Sequence, residues 1–149
     1  MSDEKNVDVW LRMYEEQTRH IRHHELMRTQ ATNLVVVISA ALLALYGTKT
    51  VEVGALLIGP FIAAVNLYGL LMSMKHYERS LLHASVGSAY RAKVSEHSAI
   101  DGQSINDVRH VAHEKHAMGS RMSSVRAHWL WSGLHGLLIL AGLVIALKP

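Results

Sequence analysis

The sequence predicts an all-α membrane protein with three transmembrane helices and extended cytoplasmic helices. Three observations predict it. There are three long apolar runs, Lys and Arg are unevenly spread around them, and no glycine or proline occurs between residues 1 and 46. The 149 residues suffice for one domain, and half of them are hydrophobic although only one is Phe. Cysteine is absent, which excludes disulfides, Cys-ligated zinc and thiol catalysis. The opening is polar and charged and does not read as a secretory signal.

The first run is 31–47, "ATNLVVVISAALLALYG". Its seventeen residues reach about 25 Å at 1.5 Å each, just under the thickness of a bilayer core. The second, 53–74, is twenty-two residues without a charge, and the third, 129–147, is nineteen with a single histidine. Thirteen of the fifteen Lys and Arg lie in residues 1–30 and 75–128, against Lys49 and Lys148 elsewhere. The positive-inside rule then keeps the N-terminus and the middle segment cytoplasmic and sends the C-terminus outside. The localisation expected is a bacterial inner membrane. Trp129, Trp131 and Tyr46 suit interfacial anchoring.

Four segments follow. Residues 1–30 form a cytoplasmic amphipathic helix, expected to start near residue 7 and run into the first span. Trp10, Tyr14, Gln17, Ile21 and Arg28 share one stripe, with Arg12, Arg19 and His23 opposite. Residues 31–75 form a transmembrane hairpin (31–47 and 53–74) with a short outer loop, and Pro60 is expected to kink its second helix. Residues 76–127 form a cytoplasmic helical hairpin, continuous with spans two and three. "DGQS" turns it, and Ser104 with Asp107 opens its second helix as a capping box. Val108, Val111, Met118, Met122, Val125 and Trp129 mark a heptad-like seam, interrupted by Lys115. Residues 128–149 form the third span and a short outer tail.

Polar residues interrupt the spans at similar depth: Ser39, Asn66 and His135. In hydrocarbon such groups face a partner or water. Either they bond between helices of one protomer, or they line an oligomeric pore. Gly54, Gly69, Gly133, Gly136 and Gly142 favour close helix approach in either case. Three spans enclose no solute path alone, so conduction requires a homo-oligomer, most simply a closed ring.

On the cytoplasmic side Arg19, Arg22, His23, His24, Arg28, Arg109 and Arg126 are expected to form a basic rim. Such a rim contacts anionic lipid heads or receives a nucleotide or nucleic acid. His20, His23 and His24 share a helical face and are weak metal candidates, short of the four ligands zinc takes. No cofactor is expected. The spacings Arg19…His24 and Arg109…His116 match those of helical RNases of the HEPN type, but eleven histidines make chance matches common. No nucleophile elbow, phosphate loop, carboxylate pair or zinc-protease motif occurs, so the chain does not read as an enzyme.

The stretch "YEEQTRHIRHHELMRTQATNLVVVISAALLALYG" resembles the opening of small bacterial membrane proteins of the SLATT and RipA-like type. The similarity covers roughly residues 10–95: a charged helix, a span of small and aliphatic residues, a short outer loop, a second span and a long cytoplasmic helix. The resemblance implies a membrane effector of antiphage defence. Some such proteins form ring-shaped pores, and some accompany nucleotide-synthesising or RNA-targeting CRISPR partners. The third span departs from that two-span pattern. The function expected is an oligomeric pore or membrane-disrupting effector, gated through its cytoplasmic helices by a nucleotide, oligonucleotide or protein partner. The alternatives are a non-conducting scaffold that docks a soluble partner, and a histidine-rich metal or proton transporter.

Overall fold

The computed structural model describes residues 2–48, 55–97, 99–100, 103–119 and 126–147. In chain order the elements are α1 (Ser2–Thr48), α2 (Ala55–His97), β1 (Ala99–Ile100), β2 (Gln103–Ser104), α3 (Ile105–Gly119) and α4 (Ala127–Leu147). The all-α expectation holds. Helices α1, α2 and α4 are each long and apolar enough to cross a membrane. α1 begins at Ser2, earlier than expected, because nothing in its first turns breaks a helix. α2 runs through Pro60. There the proline sits in the second turn, where its missing N–H removes only the bond to the Leu56 carbonyl.

The chain forms two compact units. One, the charged unit, comprises Met1–His24 and Arg79–Arg126; the other, the apolar unit, comprises Glu25–Glu78 and Ala127–Pro149. The apolar unit is inverted relative to a water-soluble bundle. Thr32, Ser39, Asn66, Ser73 and His135 are buried, while Leu57, Phe61, Leu71, Leu137, Leu140 and Leu147 are exposed. Its apolar centre is small: Ile58, Ile62 and Ile145, flanked by Leu42, Leu43 and Tyr46. This is the arrangement a lipid solvent selects. Lipid tails are as apolar as leucine, so helix association rests on close packing and hydrogen bonds.

Close packing is provided by two facing glycines. A Cβ on Gly59 would lie 2.5 Å from the Ala146 nitrogen and the Gly142 carbonyl oxygen, and one on Gly142 would lie 2.6 Å from the Gly59 oxygen and 2.8 Å from the Ala63 nitrogen. Backbone therefore meets backbone where α2 crosses α4. Gly59/Ala63 and Gly142/Ala146 are two small-xxx-small pairs set against each other. Gly133 and Gly136, expected to serve close approach, have open space around them. Gly54 lies outside the described residues, as do residues 49–53 of the expected outer loop and residues 148–149.

In the charged unit two differences appear. Gln103 and Ser104, expected within a turn, form β2, which pairs antiparallel with β1 in the register Ala99↔Ser104 and Ile100↔Gln103. The intervening Asp-Gly has the composition of a two-residue hairpin turn. The expected second helix of the hairpin also ends at Gly119, and α4 starts afresh at Ala127. Of the heptad-like seam, Val108, Val111 and Trp129 are exposed, and Met122 and Val125 fall outside the described residues.

The capping box is present. The Ser104 N–H donates to Asp107 Oδ2 (3.2 Å), the Ser104 hydroxyl donates to the same oxygen (2.7 Å), and the Asp107 N–H donates to Ser104 Oγ (3.2 Å). The hydroxyl first, and the Ser104 N–H second, hold the Asp107 carboxyl below its ordinary range, and His110 adds to this. A carboxylate whose pKa is lower folded than unfolded contributes stability above its unfolded pKa and loses it as pH falls through the folded one. The first turn of α3 is therefore expected to fray as pH falls below about 4. Ser104→Ala should return the Asp107 titration toward the ordinary carboxylate value. Carboxyl carbon shifts followed by NMR through the acid range measure both; an unchanged Asp107 midpoint in Ser104→Ala would refute the cap.

Candidate functional site

The candidate site is the polar layer inside the apolar unit. Ser39 reaches it from α1, Asn66 from α2 and His135 from α4, each with 0% exposure. The sequence reading left two alternatives for this layer, bonding within one protomer or lining an oligomeric pore. The side chains are enclosed by the three helices of one chain and bonded to one another.

The hydrogen bonds assign their own directions. Asn66 Nδ2 donates to Ser39 Oγ (2.7 Å) and to the Ile62 carbonyl (2.9 Å). That orients the amide so that Oδ1 faces His135 Nδ1, 3.3 Å away. An amide oxygen only accepts, so Nδ1 carries the proton. On the other ring edge Nε2 lies 3.3 Å from Thr32 Oγ1. The threonine hydroxyl donates there to the ring's lone pair. Ser39 Oγ in turn donates to the Val35 carbonyl (2.8 Å). Every member has a partner, which is what a dry interior demands of polar groups. Asn66 is the hub, joining α1 to α4 through α2.

Gly69 makes room for the imidazole. A Cβ there would stand 2.5 Å from His135 Cε1 and 3.0 Å from Nδ1. The ring lies against bare backbone. Thr32 and Gly69 complete the site; the sequence marked Gly69 for close helix approach, and Thr32 was not singled out. The signal that finds Thr32 is a seven-residue period: Thr32 and Ser39; Gly59, Asn66 and Ser73; His128, His135 and Gly142; Gly69 lies off that period, about one turn after Asn66. Left-handed helix packing returns the same face every seven residues.

The basic residues divide differently from expectation. Arg19, Arg22 and His23 are exposed on α1, Arg109 is exposed on α3, and Arg126 is exposed just before α4. Arg28 is not a rim residue. It is 5% exposed, it pairs with Glu25, and its guanidinium lies 5.9 Å from the Tyr77 ring centre. Tyr77 stacks on His128 at 4.3 Å. Arg28 falls on the inward stripe of α1, and its charge is matched by a carboxylate and a ring face.

His20, His23 and His24 do not converge as metal ligands. His20 and His24 lie nearly parallel to the His83 ring, at 4.7 and 5.4 Å, and His23 meets His24 edge-on at 5.7 Å. Imidazole binds metal through lone pairs in the ring plane, and parallel rings do not aim these at one point. Among the described residues no group of three His, Asp or Glu is arranged to hold a metal ion. Compared with models of known protein families, with curated proteins and with solved structures, the chain has no match.

Proposed function

We propose that this protein is an inner-membrane scaffold whose charged helices dock a soluble cytoplasmic partner. The observation that carries the reading is the enclosure of Ser39, Asn66 and His135. The buried Thr32, Ser39, Asn66 and His135 of the three candidate spans bond to one another, and the surface left for lipid is largely leucine and valine. A proton path through the layer is disfavoured as well, because the Asn66 amide has no ionisable proton to relay. Exposed arginines and histidines on α1 and α3 suit an acidic partner surface or an anionic ligand. The N-terminus would be cytoplasmic, following the distribution of Lys and Arg.

A homo-oligomeric pore is the second reading, favoured by one observation. The outward face of α1 is narrow: Asn33, Val37, Ala40 and Ala44 are all exposed at helical spacing. Small residues permit copies to approach closely around an axis. The antiphage effector role, with nucleotide or oligonucleotide gating, belongs with this reading and enters through the SLATT-like architecture. Reconstitution in liposomes separates the two. The scaffold reading expects ion flux no greater than in protein-free vesicles and a monomer or dimer by detergent-corrected mass. Sustained flux from a larger ring would overturn it in favour of the pore.

A further inference from the structure

α3 carries two unlike faces, and every residue from Asn106 to Glu114 is exposed. Val108, Val111 and Ala112 share one side. Asn106, Arg109, His110 and His113 follow the i, i+3, i+4, i+7 spacing of the other. These four line a cavity of about 380 Å³, within the roughly 300–1,000 Å³ of small-ligand sites. Both acids of this helix are already engaged. Asp107 accepts from Ser104 in the cap, and Glu114 Oε1 lies 3.7 Å from His110 Nδ1. Asn106, Arg109 and His113 make no hydrogen bond or ion pair among the described residues. Three donors on one helix face thus line a cavity with no acceptor assigned to them.

We propose that this face of α3 binds the phosphoryl group of a small soluble phosphomonoester. The donors carry the assignment. Arg109 supplies a planar fork that matches two oxygens of one anion. Asn106 adds an amide N–H, and His113 adds a ring N–H, which a neutral imidazole has in either tautomer. A phosphomonoester offers three terminal oxygens to these groups, where a carboxylate offers two. The start of α3 is already capped by the Asp107 carboxylate, so side chains hold the anion and the helix end does not. No Trp, Tyr or Phe is among the described lining residues, so selection rests on the phosphoryl group and not on a stacked base. Val108 and Val111, which a membrane surface would take up, lie on the opposite side of α3, so a soluble ligand suits the polar face better than a lipid head. The assignment narrows the anionic ligand of the docking reading and rests on that reading for the cytoplasmic placement of α3.

The test titrates ethyl phosphate into the full chain in maltoside micelles, which carry no phosphate, at constant ionic strength. Amide NMR shifts of α3 are the readout. Saturable shifts are expected at Asn106, Arg109 and His113, with an affinity about tenfold above that for acetate. Arg109→Gln should weaken binding about tenfold. Arg109→Lys keeps the charge and loses the fork, and should fall between the two. Arg79→Gln removes the same charge from an exposed position on α2 and should leave binding unchanged. Shifts that do not saturate, equal affinity for acetate, or the same loss in Arg79→Gln would overturn the site. Dihexanoyl phosphatidic acid carries the same group on acyl chains; tighter binding of it than of ethyl phosphate would overturn the soluble ligand in favour of a lipid head. Ion flux does not enter this readout, so a chain that conducts and still binds ethyl phosphate keeps the site and loses the scaffold.

Discussion

Gly142→Ala is expected to destabilise the apolar unit by about 3 kcal/mol, the upper part of the range for overpacked interiors. The added carbon would stand 2.6 Å from the Gly59 carbonyl oxygen and 2.8 Å from the Ala63 nitrogen. Both are backbone atoms in regular helix, so they move only if α2 and α4 separate along their crossing. Gly136→Ala is the matched control on the same helix. It meets nothing within 4 Å, and helix propensity alone predicts a gain of up to about 1 kcal/mol. The same chemical change should therefore have opposite signs two turns apart. Unfolding in mixed micelles, followed by helical signal, measures both. Equal shifts for the two variants would mean that the crossing is looser than described. Gly59→Ala should behave like Gly142→Ala, because its own Cβ would meet the Ala146 nitrogen at 2.5 Å.

The spans were legible because hydropathy reports what a segment faces in bulk. Three uncharged runs and a one-sided distribution of arginine need no knowledge of packing. The inward stripe of α1, through Trp10, Tyr14, Gln17, Ile21 and Arg28, was also legible from helical period. Partner choice was not. Gly133 and Gly136 look like an interface in sequence and face open space, whereas Gly59 was overshadowed by the proline beside it. What separates them is register. Gly59, Asn66 and Ser73 in the apolar unit, and Ser80, Gly87 and Val94 in the charged unit, are all buried and spaced by seven. Small and polar residues on that period mark the inner face of a membrane helix as surely as leucines mark a soluble coiled coil.

The same argument explains why the polar residues were harder to assign than to find. Equal depth places Ser39, Asn66 and His135 in one layer, but depth does not say whether a layer faces inward or toward an axis between copies. Period speaks to it for Asn66 and His135, which fall seven residues from the close-packing Gly59 and Gly142. Arg28 shows the converse failure. A charge near a membrane boundary reads as solvent-facing, yet its position on the inward stripe buries it against Glu25 and Tyr77. The histidines of α1 were grouped correctly on one face. The ring on which His20 and His24 stack is His83, sixty-three residues beyond His20 in the chain, which local spacing does not reveal.

Asn66→Ala is expected to cost about 2–3 kcal/mol, the magnitude of leaving a buried donor unpaired, and more than any other single change in the layer. It removes the acceptor of His135 Nδ1–H and the donor to Ser39 Oγ together. No water enters hydrocarbon to replace them. Ser39→Ala should cost less than about 1 kcal/mol, near the mean for membrane hydrogen bonds. Its hydroxyl donates to the Val35 carbonyl of its own helix, and Asn66 Nδ2 keeps the Ile62 carbonyl. Gly69→Ala tests the ring from its other side by displacing Cε1 and Nδ1 without removing any hydrogen-bonding group. Nitrogen NMR of His135 should report the Nδ1–H tautomer in the parent chain and in Ser39→Ala, and lose it in Asn66→Ala and Gly69→Ala. If Ser39→Ala proved as costly as Asn66→Ala, the hub would lie elsewhere. If the tautomer survived loss of the amide, Thr32 on the opposite edge would be the group that sets it. The order of these effects follows from which bonds cross between helices and which stay within one.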